Sequence, residues 1–233
     1  MARLEIGARR VLRWLRTHHV GLLIIFVGVL VPLAGFGLLV DELLEDQGFF
    51  FDKPILLMLH GLATPWLDRA MIVISLIGYR WGVMPVDLGV ALLLALRRRW
   101  GDFKFWALAI GGAALLNLAV KGLFGRVRPD FWESIAPETT FSFPSGHAMG
   151  SMALVLALWV LLRPTRWWRL ALALGAAFVL LVGVSRVYLG VHFPSDILAG
   201  WAASTFWVIG LSELLYNRWA KPTPEAQPAK LPV

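Results

Sequence analysis

Three polar stretches of this chain carry residues that could do chemistry together. The first, from Lys121 to Asp130, holds Lys121, Arg126 and Arg128. The second is Pro144-Ser145-Gly146-His147, where the chain enters an apolar run. The third runs from Ser185 and Arg186 to His192 and Asp196. Free backbone N–H groups at a helix start bind anions. The planar fork of arginine matches phosphate oxygens. A cationic rim around an amide nest is therefore a phosphate site. Two histidines beside it suit nucleophilic and acid–base work: one attacks phosphorus or activates a nucleophile, and the other hands a proton to the leaving group. Asp196 follows His192 by four residues, a separation from which its carboxylate reaches one imidazole nitrogen, fixes the tautomer and leaves the other free. That tilts the nucleophile toward His192, although spacing alone does not decide which histidine attacks.

Each stretch also has an ordinary reading when taken singly. Lys121 at a helix end can snorkel to a membrane interface. Ser145 and Gly146 can simply cap a helix. The third stretch can be a loop with an aromatic interface anchor. Zinc is a rival use for His147, His192 and Asp196, but the clustered cations repel a divalent ion. No metal site and no cofactor are expected.

The elements that would position these residues are membrane helices. The chain has 233 residues, 58% hydrophobic and only 16% charged, with a mean hydropathy of +0.70. A soluble domain carries nearer to a quarter charged residues. Apolar blocks cover 20–40, 66–96, 103–120, 147–162, 168–185 and 195–216. A span needs about 20 residues, so 66–96 is too long for one. Gly78, Arg80 and Gly82 break it into a short interfacial helix over 66–78 and a span over 81–97. The expected fold is all-α and polytopic, with six transmembrane helices and short interfacial helices on the outer side.

Charge sets the sidedness. Arg3, Arg9, Arg10, Arg13 and Arg16 precede span one. Arg97, Arg98, Arg99 and Lys104 follow span two, and Arg163, Arg166 and Arg169 follow span four. Arg218, Lys221 and Lys230 follow span six. Fifteen of the 22 basic residues thus share one side, the cytoplasmic one. Seven spans would split the N-terminal arginines from Arg97–Arg99. The net charge of +7 is explained this way without nucleic acid. There is no cysteine, so thiol and disulfide chemistry are excluded.

The first apolar block reads as a retained anchor, since Asp41-Glu42-Leu43-Leu44 follows it and no small-residue cleavage site does. Residues 51–65 carry Ile55, Leu56, Leu59 and Leu62 at helical spacing and read as an amphipathic helix on the outer surface. Residues 1–220 form one domain, and the proline-rich 221–233 reads as a disordered cytoplasmic tail. Asn117 shares a helical face with Lys121 and suits an interhelical hydrogen bond. Asp87, inside span two, calls for a partner on a neighbouring helix or a nearby polar cavity. His18, His19 and His60 receive no chemistry. Trp14, Trp66, Trp81, Trp100, Trp132, Trp167 and Trp168 lie near span ends, as an aromatic belt does.

The three stretches resemble the three-part signature of the type 2 phosphatidic-acid phosphatase superfamily: Lys121 with Arg128-Pro129, then Pro144-Ser145-Gly146-His147, then Ser185-Arg186 with His192 and Asp196. Order and spacing match without departure. More narrowly, the chain resembles the small bacterial members acting on phosphatidylglycerol phosphate and undecaprenyl pyrophosphate. The resemblance implies that His192 is a nucleophile forming a phosphohistidine, with Asp196 orienting it, and that His147 is the general acid. It implies that Lys121, Arg128, Arg186, Ser145 and the Gly146 amide hold the phosphoryl oxygens, without metal. The implied substrate is a membrane phospholipid or polyprenyl phosphate. The implied place is the bacterial inner membrane, with both termini cytoplasmic and the site facing outward. A phosphotransferase with the same intermediate and a lipid A phosphatase are the alternatives.

Overall fold

The computed structural model describes residue 19 and residues 21–45 and 48–216. The N-terminal arginines, Trp14, His18 and the tail lie outside the described residues. All regular structure among the described residues is helical: α1 (Gly21–Leu44), α2 (Asp52–His60), α3 (Pro65–Ile77), α4 (Val83–Leu96), α5 (Trp100–Phe124), α6 (Gly146–Leu162), α7 (Trp168–Tyr188) and α8 (Pro194–Tyr216). The helices α1, α5, α7 and α8 are long and apolar enough to cross a membrane. The apolar α4 and α6 are shorter, at 14 and 17 residues. The break expected within 66–96 falls between Ile77 and Val83, where the chain turns.

The burial pattern is that of a protein dissolved in lipid. Leu38, Leu88, Leu115 and Leu214 are exposed, while α6 and α8 bury small residues such as Ala148, Ala153, Ala157, Ala199 and Ala203. Lipid tails are as apolar as leucine, so close backbone approach, more than leucine burial, holds such helices together. Gly200 shows how close. A Cβ there would lie 3.0 Å from both Ala148 Cβ and Ser145 O. The central α6 packs against α5, α7 and α8. Helix α1 lies along α8, α4 rests on α5, and α3 rests on α7.

Two contacts fix which helix ends share a face. Tyr216 Oη donates to Asp102 Oδ1 at 2.6 Å, joining the end of α8 to the start of α5. At the opposite face the Ser145 N–H donates to Asp196 O at 3.1 Å, joining the starts of α6 and α8. The last turns of α5 and α7 arrive at that second face, so all three polar stretches meet there.

Helix α2 packs the apolar side read from the sequence, Ile55, Leu56 and Leu59, against the bundle, with Leu57 and Met58 exposed on the other side. Leu56 is fully buried against Ala148, Val187 and Ile197, whereas Leu62 lies beyond the helix end and is exposed. The neighbouring α5 meets Asp87 at the backbone, where Trp106 Nε1–H donates to the Asp87 carbonyl at 3.0 Å. Its side-chain Oδ1 is buried with no hydrogen-bond partner among the described residues. It lines a mainly apolar cavity of about 310 Å³ with Tyr79, Asn117, Gly146 and Met149.

Candidate active site

His192 sits in the short connection between α7 and α8 and is 1% exposed. Asp196 occupies the first turn of α8 and is fully buried. Its Oδ2 lies 3.3 Å from His192 Nδ1 and accepts the Phe193 N–H at 2.9 Å. On the other side of the ring, Arg128 Nη1 lies 3.2 Å from His192 Nε2. A guanidinium only donates, so Nε2 accepts and the ring proton sits on Nδ1, facing Asp196. Burial, reinforced by Arg128, Arg186 and Lys121, holds the imidazole well below its ordinary titration range. The ring is therefore neutral, with its free lone pair on the side of the cations.

Those cations come from three elements. Arg128 lies in the loop after α5, donates to Val191 O at 2.6 Å and to Thr140 O at 2.6 Å, and is thereby fixed at both ends. Arg186 arrives on the last turn of α7 and donates to Ser75 Oγ on α3. Lys121, on the last turn of α5, donates to Phe141 O and sits 3.4 Å from Thr140 Oγ1. Ser145 caps α6, its Oγ accepting the Ala148 N–H at 3.4 Å, and Gly146 opens that helix. Asn117 on α5 donates to Pro144 O at 3.0 Å and to Met149 Sδ at 3.3 Å, an interhelical bond as expected. His147 faces the same pocket, with its ring centroid 5.0 Å from that of Tyr79. Every residue singled out for the site from sequence is thus gathered at one end of the bundle.

Arg126 is the exception among the cations first grouped there. It turns away from the pocket to bridge Asp52 at 2.9 Å and Asp196 at 2.5 Å, with its guanidinium carbon 4.2 Å from the centre of the Phe193 ring. Asp52 in turn accepts the Ser195 N–H at 2.9 Å and Ser195 Oγ at 2.6 Å. Behind His192 there is therefore a buried chain of charge: Asp196, Arg126, Asp52. Sequence reading missed Asp52 and Ser195, and no local pattern links Asp52 to residues so far along the chain.

It also missed Glu138. This carboxylate lies in the loop 130–143 and bridges the two pocket arginines, Oε2 to Arg128 Nη2 at 2.8 Å and Oε1 to Arg186 Nη2. Burial acts to raise its titration, yet Arg186 and Arg128, with Lys121, pull it below the ordinary carboxylate value. An anion thus already occupies the arginine pair. The loop is pinned by Trp132, which stacks on His60 with ring centroids 3.9 Å apart. Gly190, at φ +69°, leaves room for it, since a Cβ there would meet Trp132 at 2.6 Å. Trp132 therefore anchors the loop.

A model of the PAP2 superfamily matches residues 104–220, which include all three polar stretches. The chain belongs to the PAP2 superfamily. Phosphatidylglycerophosphatase B of Bacillus subtilis is 33% identical over 146 residues, covering 60% of this chain and 71% of that protein. An undecaprenyl-diphosphatase of Sulfolobus acidocaldarius is 31% identical over 175 residues, covering 72% of this chain and 79% of the relative. The crystal structure of a transmembrane PAP2-type phosphatidylglycerolphosphate phosphatase from Bacillus subtilis aligns with a TM-score of 0.69 at 26% identity, over 82% of this chain and 97% of the other. With its four long apolar helices, this PAP2 protein is a membrane protein of the phosphatase class.

Proposed function

We propose that this PAP2 protein is an integral-membrane lipid phosphatase of a bacterial plasma membrane. It removes a phosphate from a lipid phosphomonoester or pyrophosphate through a phosphohistidine at His192. One observation carries the reading: His192 has a carboxylate on Nδ1 and a cation cluster around Nε2, and that cluster already grips an anion. In the first step Nε2 attacks phosphorus and the ester P–O bond breaks. His147 gives its proton to the departing oxygen, so the alcohol leaves neutral. Arg128, Arg186 and Lys121 hold the phosphoryl oxygens with the Gly146 amide, where charge grows in the transition state. In the second step water attacks phosphorus, His147 takes its proton, and the electron pair of the P–N bond returns to Nε2.

The cations that neutralise the phosphoryl group are side chains, so turnover needs no metal. A six-span count, with α4 and α6 as the two short spans, puts the basic ends on the cytoplasmic side and the site on the outer side. A lipid then keeps its tails in the bilayer while its phosphate enters the pocket. Residues 1–220 would form one catalytic domain.

Purified protein is to be tested against undecaprenyl pyrophosphate, phosphatidylglycerol phosphate, phosphatidate and lipid A, each labelled in the scissile phosphate. The expected result is release of orthophosphate from at least one lipid, unaffected by EDTA, with acid-labile label trapped on His192. Label passed to a second lipid in place of water would make the protein a phosphotransferase. Inactivation by chelator, restored by zinc or magnesium, would overturn the phosphohistidine reading.

A further inference from the structure

A general acid must hold a proton until the leaving group needs it. His147 is poorly placed for that in the arrangement described above. Beside it, joined through Glu138, stand the guanidinium groups of Arg186 from α7 and Arg128 from the loop after α5, with the Tyr79 ring from the α3–α4 turn. Both arginines are cations and offer no acceptor to a proton on His147. Glu138 is a carboxylate and can. Its Oε1 lies 3.9 Å from His147 Nδ1, about 1 Å beyond hydrogen-bond length. It is kept there by its bonds to Arg128 and Arg186.

A substrate changes this balance. The phosphoryl oxygens need the same guanidinium donors that Glu138 occupies, and a dianion displaces a carboxylate monoanion from a pair of arginines. We propose that Glu138 is the positioning residue of His147, released by the incoming phosphoryl group to bind Nδ1–H and so to load the acid when substrate is present. The inference rests on the phosphatase reading given above. As Glu138 moves, His147 takes one proton from bulk water, so that in its loaded form it carries protons on both ring nitrogens. Nδ1–H is held by Glu138, and Nε2–H points toward the leaving oxygen. When the P–O bond breaks, the Nε2 proton goes to that oxygen and His147 is left neutral. The attacking water restores the proton in the second step. Glu138 then returns to the arginines as orthophosphate leaves, competing with product for the same donors.

The two histidines are thus served by different carboxylates. Asp196 is locked on His192 by Arg126 and the Phe193 N–H. Glu138 rests on a loop and is 29% exposed, free to exchange partners.

The test compares two esters with the same phosphoryl group: dioctanoyl phosphatidate, whose alkoxide is a poor leaving group, and 4-nitrophenyl phosphate, whose aryloxide needs little acid help. In Glu138→Gln the ratio of aryl to alkyl kcat should rise at least tenfold, and orthophosphate should inhibit at lower concentration because a resident competitor has gone. Glu138→Asp should bring the ratio part of the way back. An equal loss on both esters would overturn the proposal, since it would mean damage to the phosphoryl pocket alone. Tighter orthophosphate inhibition with an unchanged ratio would overturn it too, leaving Glu138 as a mere competitor. A measurement on the unaltered protein covers the case in which the variants fail to fold. Adding orthovanadate should move the Nδ1 resonance of 15N-labelled His147 toward the protonated position, and no movement would refute the exchange. If the wild-type protein hydrolyses neither ester, the phosphatase reading itself fails.

Discussion

Asp52 and Arg126 form an ion pair at 2.9 Å, and through it helix α2 is tied to the carboxylate that faces His192. Both partners are buried or nearly so, with side chains 5% and 12% exposed. Removing one member of such a pair leaves the other uncompensated, at a cost of about 3–5 kcal/mol. Asp52→Ala should therefore lower the melting temperature in detergent and depress kcat together, because the Ser195 N–H and the Arg126 guanidinium both lose an acceptor. Asp52→Asn, which keeps one acceptor oxygen, should fall between. A melting temperature within a degree of wild type for Asp52→Ala would show that the pair does not hold α2 in place.

His192→Ala should abolish turnover on every ester while leaving helicity, read by circular dichroism, unchanged. Residual activity above a few per cent would remove His192 as nucleophile. His147→Ala should retain more activity on 4-nitrophenyl phosphate than on phosphatidate, because a general acid matters most for a poor leaving group.

The titration of His192 gives a third measurement. Burial and the nearby cations lower it below the usual 6.5. A lowered value means that the ring takes up its proton only at more acid pH. The nucleophile should thus stay neutral as pH falls through 6.5 and be lost only below it. In 15N NMR of labelled histidine the His192 midpoint should lie under 6.5 and move upward in Arg128→Gln, which removes one depressing charge but not the burial. A wild-type midpoint at or above 6.5 would contradict the description of the site as desolvated and cationic.

Sidedness can be read chemically because the chain has no cysteine. Glu133→Cys, exposed in the loop 130–143, should react with a membrane-impermeant maleimide in intact cells or spheroplasts. Thr165→Cys, exposed between α6 and α7, should react only after the membrane is opened. The opposite pattern would refute the outward-facing site.

What could be read from the residues divides along physical lines. Lys121, Arg128, the Pro144–His147 stretch, Arg186, His192 and Asp196 stood out because each lies at the end of an apolar run, and helix ends converge in an antiparallel bundle. The break at Gly78–Gly82 was equally legible, since two glycines interrupt a stretch too long to span. Glu138 was not. Only the fold of its loop, set by Trp132 against His60 and Gly190, turns its carboxylate toward the arginines. Asp52 was hidden for a related reason: its partner Arg126 is 74 residues away, and nothing local marks the pairing. Arg126 itself misled, because composition sees a cation and cannot see which way it points.

The meeting of four helix ends at the pocket has an electrical consequence. Helices α6 and α8 present their amino ends there, and α5 and α7 their carboxyl ends. Amino ends carry partial positive charge and carboxyl ends partial negative charge. Each carboxyl end brings its own cation in the last turn, Lys121 on α5 and Arg186 on α7. The backbone fields of the four helices therefore do not cancel: both carboxyl ends are countered where they would repel phosphate, the amino end of α8 is countered by Asp196 in its own first turn, and the amino end of α6, with no acidic residue in its first turn, is left to attract it. Part of the pull on a phosphoryl group belongs to the peptide groups of α6, which no side-chain substitution removes. A protein stripped of any one arginine or lysine would still present an anion-binding helix end to the pocket.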